Sequence, residues 1–428
     1  MRLAEIRELM RWPALEPDHD RRVIARCHDL DDLRREARRR LPGPVFGYVD
    51  GGADEELTMR ANRAAFRSWQ FRPRALRDVT SPNLAVTVLG RELPAPIGLA
   101  PTGYTRMVHP EGELAVARAA ATRHVPYGLS TTGTSTIGQL AATGHREMWF
   151  QLYVLRDRKL VHTLIDKAAA AGFRALEVTV DTPVAAHRKR DLRAGLTIPP
   201  SLTARSMLGI AVHPGYWLSA LRSPALQFAS LQLSGAAKQS TIADMSSLFD
   251  PGLTWDDIAD IRSRWPGPLL IKGPLSPADA ALAVSAGADG IHLSNHGGRQ
   301  LDRCIPAIEL VRPVRETLGP DVTIVVDSGI RHGADIAVAI ARGADLAMVG
   351  RGYLYGLAAA GQLGVEHAID LLAEQLRRTL QLLGMTSIAN LRQKGDEVVV
   401  PADVASPFHR SEPPRSFRGS ISRGSGRA

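Results

Sequence analysis

Gly290-Ile291-His292-Leu293-Ser294-Asn295-His296-Gly297-Gly298-Arg299-Gln300-Leu301-Asp302 joins an apolar run of strand length to a polar loop. Gly290 to Leu293 reads as a buried strand. The paired glycines that follow let the backbone approach something closely. His296 and Arg299, three residues apart, put a base and a fixed cation on that loop. The combination suits binding a carboxylate and moving a proton beside it. A loop histidine taken alone is ordinarily just solvated, so the weight falls on whether the chain repeats this arrangement of strand followed by chemistry.

It does repeat. Short apolar runs occur at Pro96 to Ala100, Pro126 to Ser130, Trp149 to Tyr153 and Leu176 to Asp181. They continue at Leu269 to Lys272, Gly290 to Ser294, Thr323 to Asp327 and Leu346 to Gly350. Each is followed by an Ala-rich helical stretch. Eight buried strands alternating with helices is the count for an α/β (β/α)8 TIM barrel. A doubly wound open sheet is the alternative, but it usually has fewer strands, and no G-x-G-x-x-G turn follows the first one. The expected organisation is an N-terminal helical segment and lead-in over 1–94 and a barrel over 95–395. A long insert, about 191–251, follows the fourth strand, and 396–428 forms a disordered basic tail rich in Ser, Arg, Pro and Gly.

Barrel enzymes keep their chemistry at the C-terminal ends of the strands. Those ends here carry Pro101, Thr102 and Gly103, then Ser130, Gln151 and Tyr153, then Thr179 and Asp181. Lys272, Ser294, His296 and Arg299 come next, followed by Asp327 and Arg331, and finally Gly350 and Arg351. One polar strand end means little; eight in succession mean a site.

Composition narrows the partners. The chain has 428 residues, 44% of them hydrophobic, so it can bury a large core. A formal net charge of +9 favours anions. Nucleic acid is set aside because arginine is spread along the chain, aromatics make up only 5%, and no reader motif is present. Two cysteines, Cys27 and Cys304, leave no disulfide framework and no Cys-rich metal site, so no metal is expected and a reducing, cytoplasmic location fits. The charged N-terminus has no secretory apolar core. No window reaches the ~18–20 apolar residues that would span a bilayer.

Roles follow from residue type. Gly329, Arg331, Gly350 and Arg351, with Asp327 opening the seventh turn, lie where barrels commonly hold phosphate. Lys272 ends an otherwise apolar strand, and a buried lysine needs negative charge nearby. A flavin, which gathers charge on reduction, would supply it. Arg188 and Arg299 can grip one carboxylate. His296 serves as base if a carboxylate orients it, and Asp181 is the choice. Tyr153 can hydrogen-bond a substrate hydroxyl.

The motifs together resemble the FMN-dependent L-2-hydroxy acid dehydrogenase and oxidase family over roughly 28–395. They are Phe71-Arg72-Pro73-Arg74, Ala100-Pro101-Thr102-Gly103, His109-Pro110-Glu111-Gly112-Glu113, Gln151-Leu152-Tyr153 and Thr179-Val180-Asp181. Ile271-Lys272-Gly273, Ser294 to Asp302, Asp327 to Arg331 and Gly350-Arg351 complete the set. The resemblance implies FMN as cofactor, His296 as active-site base and Asp181 as its partner. It adds Tyr48 to Arg188 and Arg299 at the substrate carboxylate. It lines the flavin with Pro101, Thr102, Gly103, Ser130, Gln151, Thr179, Lys272 and Ser294. Gly329, Arg331, Gly350 and Arg351 would hold its phosphate.

The wording is most similar to quinone-type L-lactate dehydrogenases, so L-lactate to pyruvate is the expected reaction, with a quinone or other carrier taking the electrons. A mandelate-type or other hydroxy acid, or an oxygen-using oxidase, is the alternative. Gly103 stands where the oxidases of the family typically carry alanine, and the resemblance associates it with poor oxygen use. Thr132 stands where glycolate oxidase has tryptophan. His213-Pro214-Gly215-Tyr216-Trp217 is similar to membrane-associated members, implying peripheral contact with the inner face of the membrane through about 206–221. A soluble lid over the barrel is the other reading of that stretch. The family's usual tetramer is the expected assembly.

Overall fold

The computed structural model describes residues 16–194, 213–223, 226, 229 and 248–402. Eight parallel strands form the expected closed barrel. They are β1 (Ile97–Thr102), β2 (Tyr127–Ser130), β3 (Met148–Tyr153), β4 (Ala175–Thr179), β5 (Leu269–Gly273), β6 (Gly290–Leu293), β7 (Thr323–Val326) and β8 (Leu346–Val349). Each pairs with its neighbour in sequence, and β8 closes on β1 through Ala347 to Val349 against Ile97 to Leu99. Six of the eight strands are buried at every position, and only the ends of β1 and β7 are partly exposed. The lumen covers one face and the helices the other, which is why the runs read as continuously apolar rather than alternating.

Register decides what meets what in the lumen. Thr179 pairs with Lys272, and Lys272 with His292, so these residues of β4, β5 and β6 stand side by side. Two positions earlier, Glu177 pairs with Leu270 one layer deeper. Alternate residues of a strand share a face. The residues that carry chemistry at the strand ends therefore continue inward through Glu177 and His292.

The N-terminal segment is helical over His19–Ile24, Leu30–Arg40, Gly43–Asp50 and Leu57–Arg67, but it also holds short strands at Trp69–Phe71, Val86–Val88 and Arg91–Leu93. Trp69–Phe71 pairs antiparallel with Val399–Pro401. That pairing corrects the expected boundary at 395. Helix Ile388–Val398 runs through it, capped at its start by Ser387, whose hydroxyl accepts from the Asn390 amide at 3.0 Å. A strand partner lying some 330 residues upstream gave no local signal in the sequence. The part of the expected tail beyond 402 lies outside the described residues.

β8 leads into the longest helical element, Arg351–Leu383, which breaks at Ala360 and Gly361, where Gly361 has φ 57°. The halves cross with Gly356 against Gly364: a Cβ on Gly356 would lie 2.2 Å from the Gly364 carbonyl oxygen. Only glycine fits there. Among the described residues no helix is long and apolar enough to cross a membrane.

Candidate active site

The strand ends open into a cavity of about 190 Å³, partly open to solvent. Tyr48, Pro101, Thr102, Gly103, Ser130, Tyr153, Arg188 and Lys272 line it, together with His296, Arg299, Asp327, Gly329, Arg331, Gly350 and Arg351. Gln151, Thr179, Asp181 and Ser294 are not on its wall. They lie just behind, each tied to the site by hydrogen bonds. Ser130 Oγ donates to Gln151 Oε1 at 2.9 Å, and Gln151 Nε2 donates to Thr179 Oγ1 at 2.9 Å. The His296 amide donates to Ser294 Oγ at 3.0 Å.

His296 sits in the left-handed region, φ 59°, and Gly297 and Gly298 continue it at 65° and 72°. Three such residues in a row turn the chain sharply after β6 and lift the imidazole over the barrel mouth. A Cβ on Gly298 would lie 2.5 Å from the Met59 amide nitrogen, so the turn has no room for another residue there. His296 Nδ1 lies 3.2 Å from each Asp181 carboxylate oxygen. Its Nε2 is 3.3 Å from the Tyr153 hydroxyl, and the two rings are stacked at 12°. Burial and the nearby Asp181 push the Tyr153 phenol up, so it stays protonated and can donate.

Two arginines lie against Tyr48, with the Arg188 and Arg299 guanidinium carbons 5.3 and 4.9 Å from its ring centroid. The short helix Gly43–Asp50 explains how Arg299 and Arg351 are held. A helix leaves its last carbonyls without partners, and its C-terminus attracts cations. Arg299 Nη1 donates to the carbonyls of Tyr48 (2.7 Å) and Gly51 (2.9 Å). Arg351 donates to those of Val49 (3.1 Å), Gly297 (2.9 Å) and Gly51 (2.7 Å). The sequence gave Arg351 no such task. Burial and Arg188 push Arg299 down from its ordinary value, and burial with Arg299 pushes Arg351 down to about 9. Buried guanidinium groups that repel one another in a cavity are a demand for anions.

At the cavity floor, Lys272 Nζ donates to Asp327 Oδ2 at 2.6 Å, with His292 and Glu177 behind them. Neither His292 nor Glu177 was singled out in the sequence. A signal was available, since a glutamate and a histidine interrupt otherwise apolar strand runs. Asp327 Oδ1 accepts from Ser328 Oγ at 2.5 Å, and Ser328 Oγ accepts from the Gly297 amide at 3.0 Å, linking that floor to the His296 turn.

The family model for FMN-dependent dehydrogenases matches residues 37–396. The chain belongs to that family. An L-lactate dehydrogenase of Pectobacterium atrosepticum is 40% identical over 84% of this chain and 94% of its own length. A Mycobacterium tuberculosis relative is 45% identical over 91% of this chain and 94% of its own. Among solved structures, the monotopic membrane protein (S)-mandelate dehydrogenase superposes with a TM-score of 0.84 at 36% identity, covering 88% of this chain and all of that one.

FMN is thus the cofactor of this FMN-dependent dehydrogenase, and the cavity suits it. A buried lysine reaches its floor, and Arg331 and Arg351 line it with Gly329 and Gly350, giving an anionic group countercharge. Among the described residues no cluster could hold a metal ion. Helix Pro214–Leu221 is the described part of the stretch expected to meet lipid. Leu218 and Leu221 are exposed, while the Tyr216 hydroxyl is tied down to the Met107 carbonyl at 2.9 Å. Residues 206–212 of that expectation lie outside the described residues.

Proposed function

We propose that this chain oxidises an L-2-hydroxy acid, L-lactate first, to the 2-keto acid, and that a membrane quinone or another carrier takes the electrons onward. The observation that carries this reading is His296 held between Asp181 and Tyr153, with Arg188 and Arg299 both against the Tyr48 ring in the same cavity.

Arg188 and Arg299 would fix the substrate carboxylate by charge-assisted hydrogen bonds, aided by the Tyr48 hydroxyl. That fixes C2 and its hydroxyl against Tyr153 and His296. His296 Nε2 takes the proton that leaves the substrate, and Asp181 at Nδ1 keeps the ring in the right tautomer and stabilises the imidazolium that forms. FMN supplies the two-electron acceptor. Thr102, Ser130, Gln151, Thr179, Lys272 and Ser294 would position its ring, and Gly329, Arg331, Gly350 and Arg351 its phosphate. The relatives named for L-lactate support that substrate; the neighbour named for (S)-mandelate supports the same reaction on a larger acid.

Anaerobic reduction of the purified yellow protein with a panel of L- and D-hydroxy acids is the test. L-lactate should bleach the flavin and D-lactate should not; absence of bleaching by every L-acid would overturn the reading. Turnover in air should yield little peroxide until a quinone analogue is added. Deleting Met207 to Leu221 should reduce sedimentation with anionic vesicles, as expected if this insert contacts the inner membrane face. Four copies should sediment as one particle.

A further inference from the structure

Glu177 and His292 have had no task so far. Both are fully buried in the barrel lumen, and neither reaches the cavity. His292 stands level with Lys272 in register, and Glu177 one layer deeper. The imidazole is placed between two carboxylates: Nδ1 meets Glu177 Oε1, and Nε2 lies 3.2 Å from Asp327 Oδ2. Lys272 Nζ lies 2.6 Å from that same Asp327 oxygen and 3.2 Å from His292 Nε2. A neutral imidazole can donate from one nitrogen only, whereas the imidazolium donates from both. With both protons in place the four groups hold two positive and two negative charges. Without the second proton the lumen would carry an unbalanced negative charge, which is costly at this depth. Burial and the Lys272 ammonium push His292 toward neutrality, but Glu177 and Asp327 together outweigh them and hold its imidazolium above the ordinary range.

The consequence concerns Lys272. Were Asp327 paired with Lys272 alone, the carboxylate would cancel most of the ammonium's field at the cavity. Sharing Asp327 between two cations weakens that cancellation. The negative charge that balances the second cation lies a layer further from the cavity.

We propose that Glu177 and His292 are positioning residues for Lys272: Glu177 keeps His292 charged, His292 takes up part of the Asp327 charge, and Lys272 faces FMN as a net cation that favours the reduced flavin. The inference rests on the FMN-dependent reading above. The task could not be seen from either strand alone, because it arises only where β4, β5, β6 and β7 meet.

The test is the two-electron midpoint potential of the flavin-loaded protein, measured by equilibration with a reference dye, for wild type, Glu177→Gln, His292→Gln and the double variant Glu177→Leu/His292→Leu. Each should shift the equilibrium about tenfold toward oxidised flavin, roughly 30 mV lower. The double variant should move it by about as much as either single change, because the two residues act as a unit. The same tenfold should appear as weaker binding of reduced FMN to apoprotein, with oxidised FMN bound as before. Should either single variant fail to fold, the double variant carries the test, since apolar replacement of a whole buried pair is commonly tolerated. An unchanged potential in the folded double variant would overturn the proposal, as would equal weakening of both flavin forms, the mark of mere packing. A wild-type protein that takes up FMN but is reduced by no hydroxy acid would instead sink the functional reading and leave this comparison intact.

Discussion

The barrel holds the same chemical pair twice. His292 meets Glu177 through Nδ1, and four residues later His296 meets Asp181 through Nδ1, each carboxylate lying 115 residues upstream of its histidine. The lower pair is in regular strand, with both side chains fully buried. The upper pair stands past the strand end, where a left-handed turn leaves the His296 side chain 25% exposed and Asp181 only 5%. Under the proposed roles, depth separates their tasks. In the lumen the imidazole is enclosed by three charged groups and its proton is fixed, so it acts as a charge. At the mouth one nitrogen is anchored and the other faces the cavity, so its proton can move.

Breaking the upper pair should have the largest effect. His296→Gln is expected to keep its flavin and lose turnover by ~10²–10⁴-fold, the usual worth of a positioned base. Stopped-flow reduction by L-lactate would check this, and near-normal reduction would show that depth does not divide the two histidines in this way.

Asp50 provides a second buried carboxylate for comparison. It accepts from Arg34 at 2.6 and 2.8 Å and from the Tyr355 hydroxyl at 2.8 Å. Burial alone would raise its pKa, but Arg34 and Tyr355 hold it down at about 2. A depressed carboxyl stabilises above its unfolded pKa and loses that contribution as pH falls through the folded one. Stability should therefore drop by about 2 kcal/mol between roughly pH 4 and pH 2. Asp50→Asn should lack that component and be about 2 kcal/mol less stable at neutral pH, since it leaves the partly exposed Arg34 and Arg190 guanidinium groups without their shared carboxylate. Urea melts at several pH values would measure both.

Gly103 tests how tightly the cavity wall is built. A Cβ there would lie 2.2 Å from Thr132 Oγ1. Gly103→Ala should cost about 2 kcal/mol by overpacking and weaken flavin retention, and Gly103→Ala/Thr132→Ala should recover most of it. Thermal melts with and without added FMN would show the recovery. The smallest effect expected is Arg299→Lys. A lysine keeps the charge but not the planar fork, so KM for the acid should rise about tenfold with less change in kcat. An unchanged KM would remove Arg299 from the carboxylate.

Much of this was legible beforehand because barrel strands buried on both faces announce themselves as apolar runs, and because the residues ending those runs must be explained chemically. The convergence of Tyr153, Asp181 and His296 could be argued from strand ends alone. What escaped were relations between distant segments. Glu177 and His292 each looked like one polar residue in a strand, and only the register of β4, β5 and β6 brings them together. The strand Val399–Pro401 escaped for the same reason, its partner being Trp69–Phe71. Arg351 was assigned to phosphate from its place after β8, while its three bonds to backbone carbonyls depend on where helix Gly43–Asp50 ends.

That helix end has a consequence for how the molecule is made. The carbonyls of Tyr48 and Val49 wait for Arg299 and Arg351, which lie 251 and 302 residues further along the chain. During synthesis the first-made part of the cavity rim has no counterpart until nearly all of the barrel has left the ribosome. Contacts closed over so long a loop form late and slowly. A chain stopped short of β8 would leave the early helix exposed and the cavity without its far wall, so cofactor capture marks the end of folding rather than its beginning.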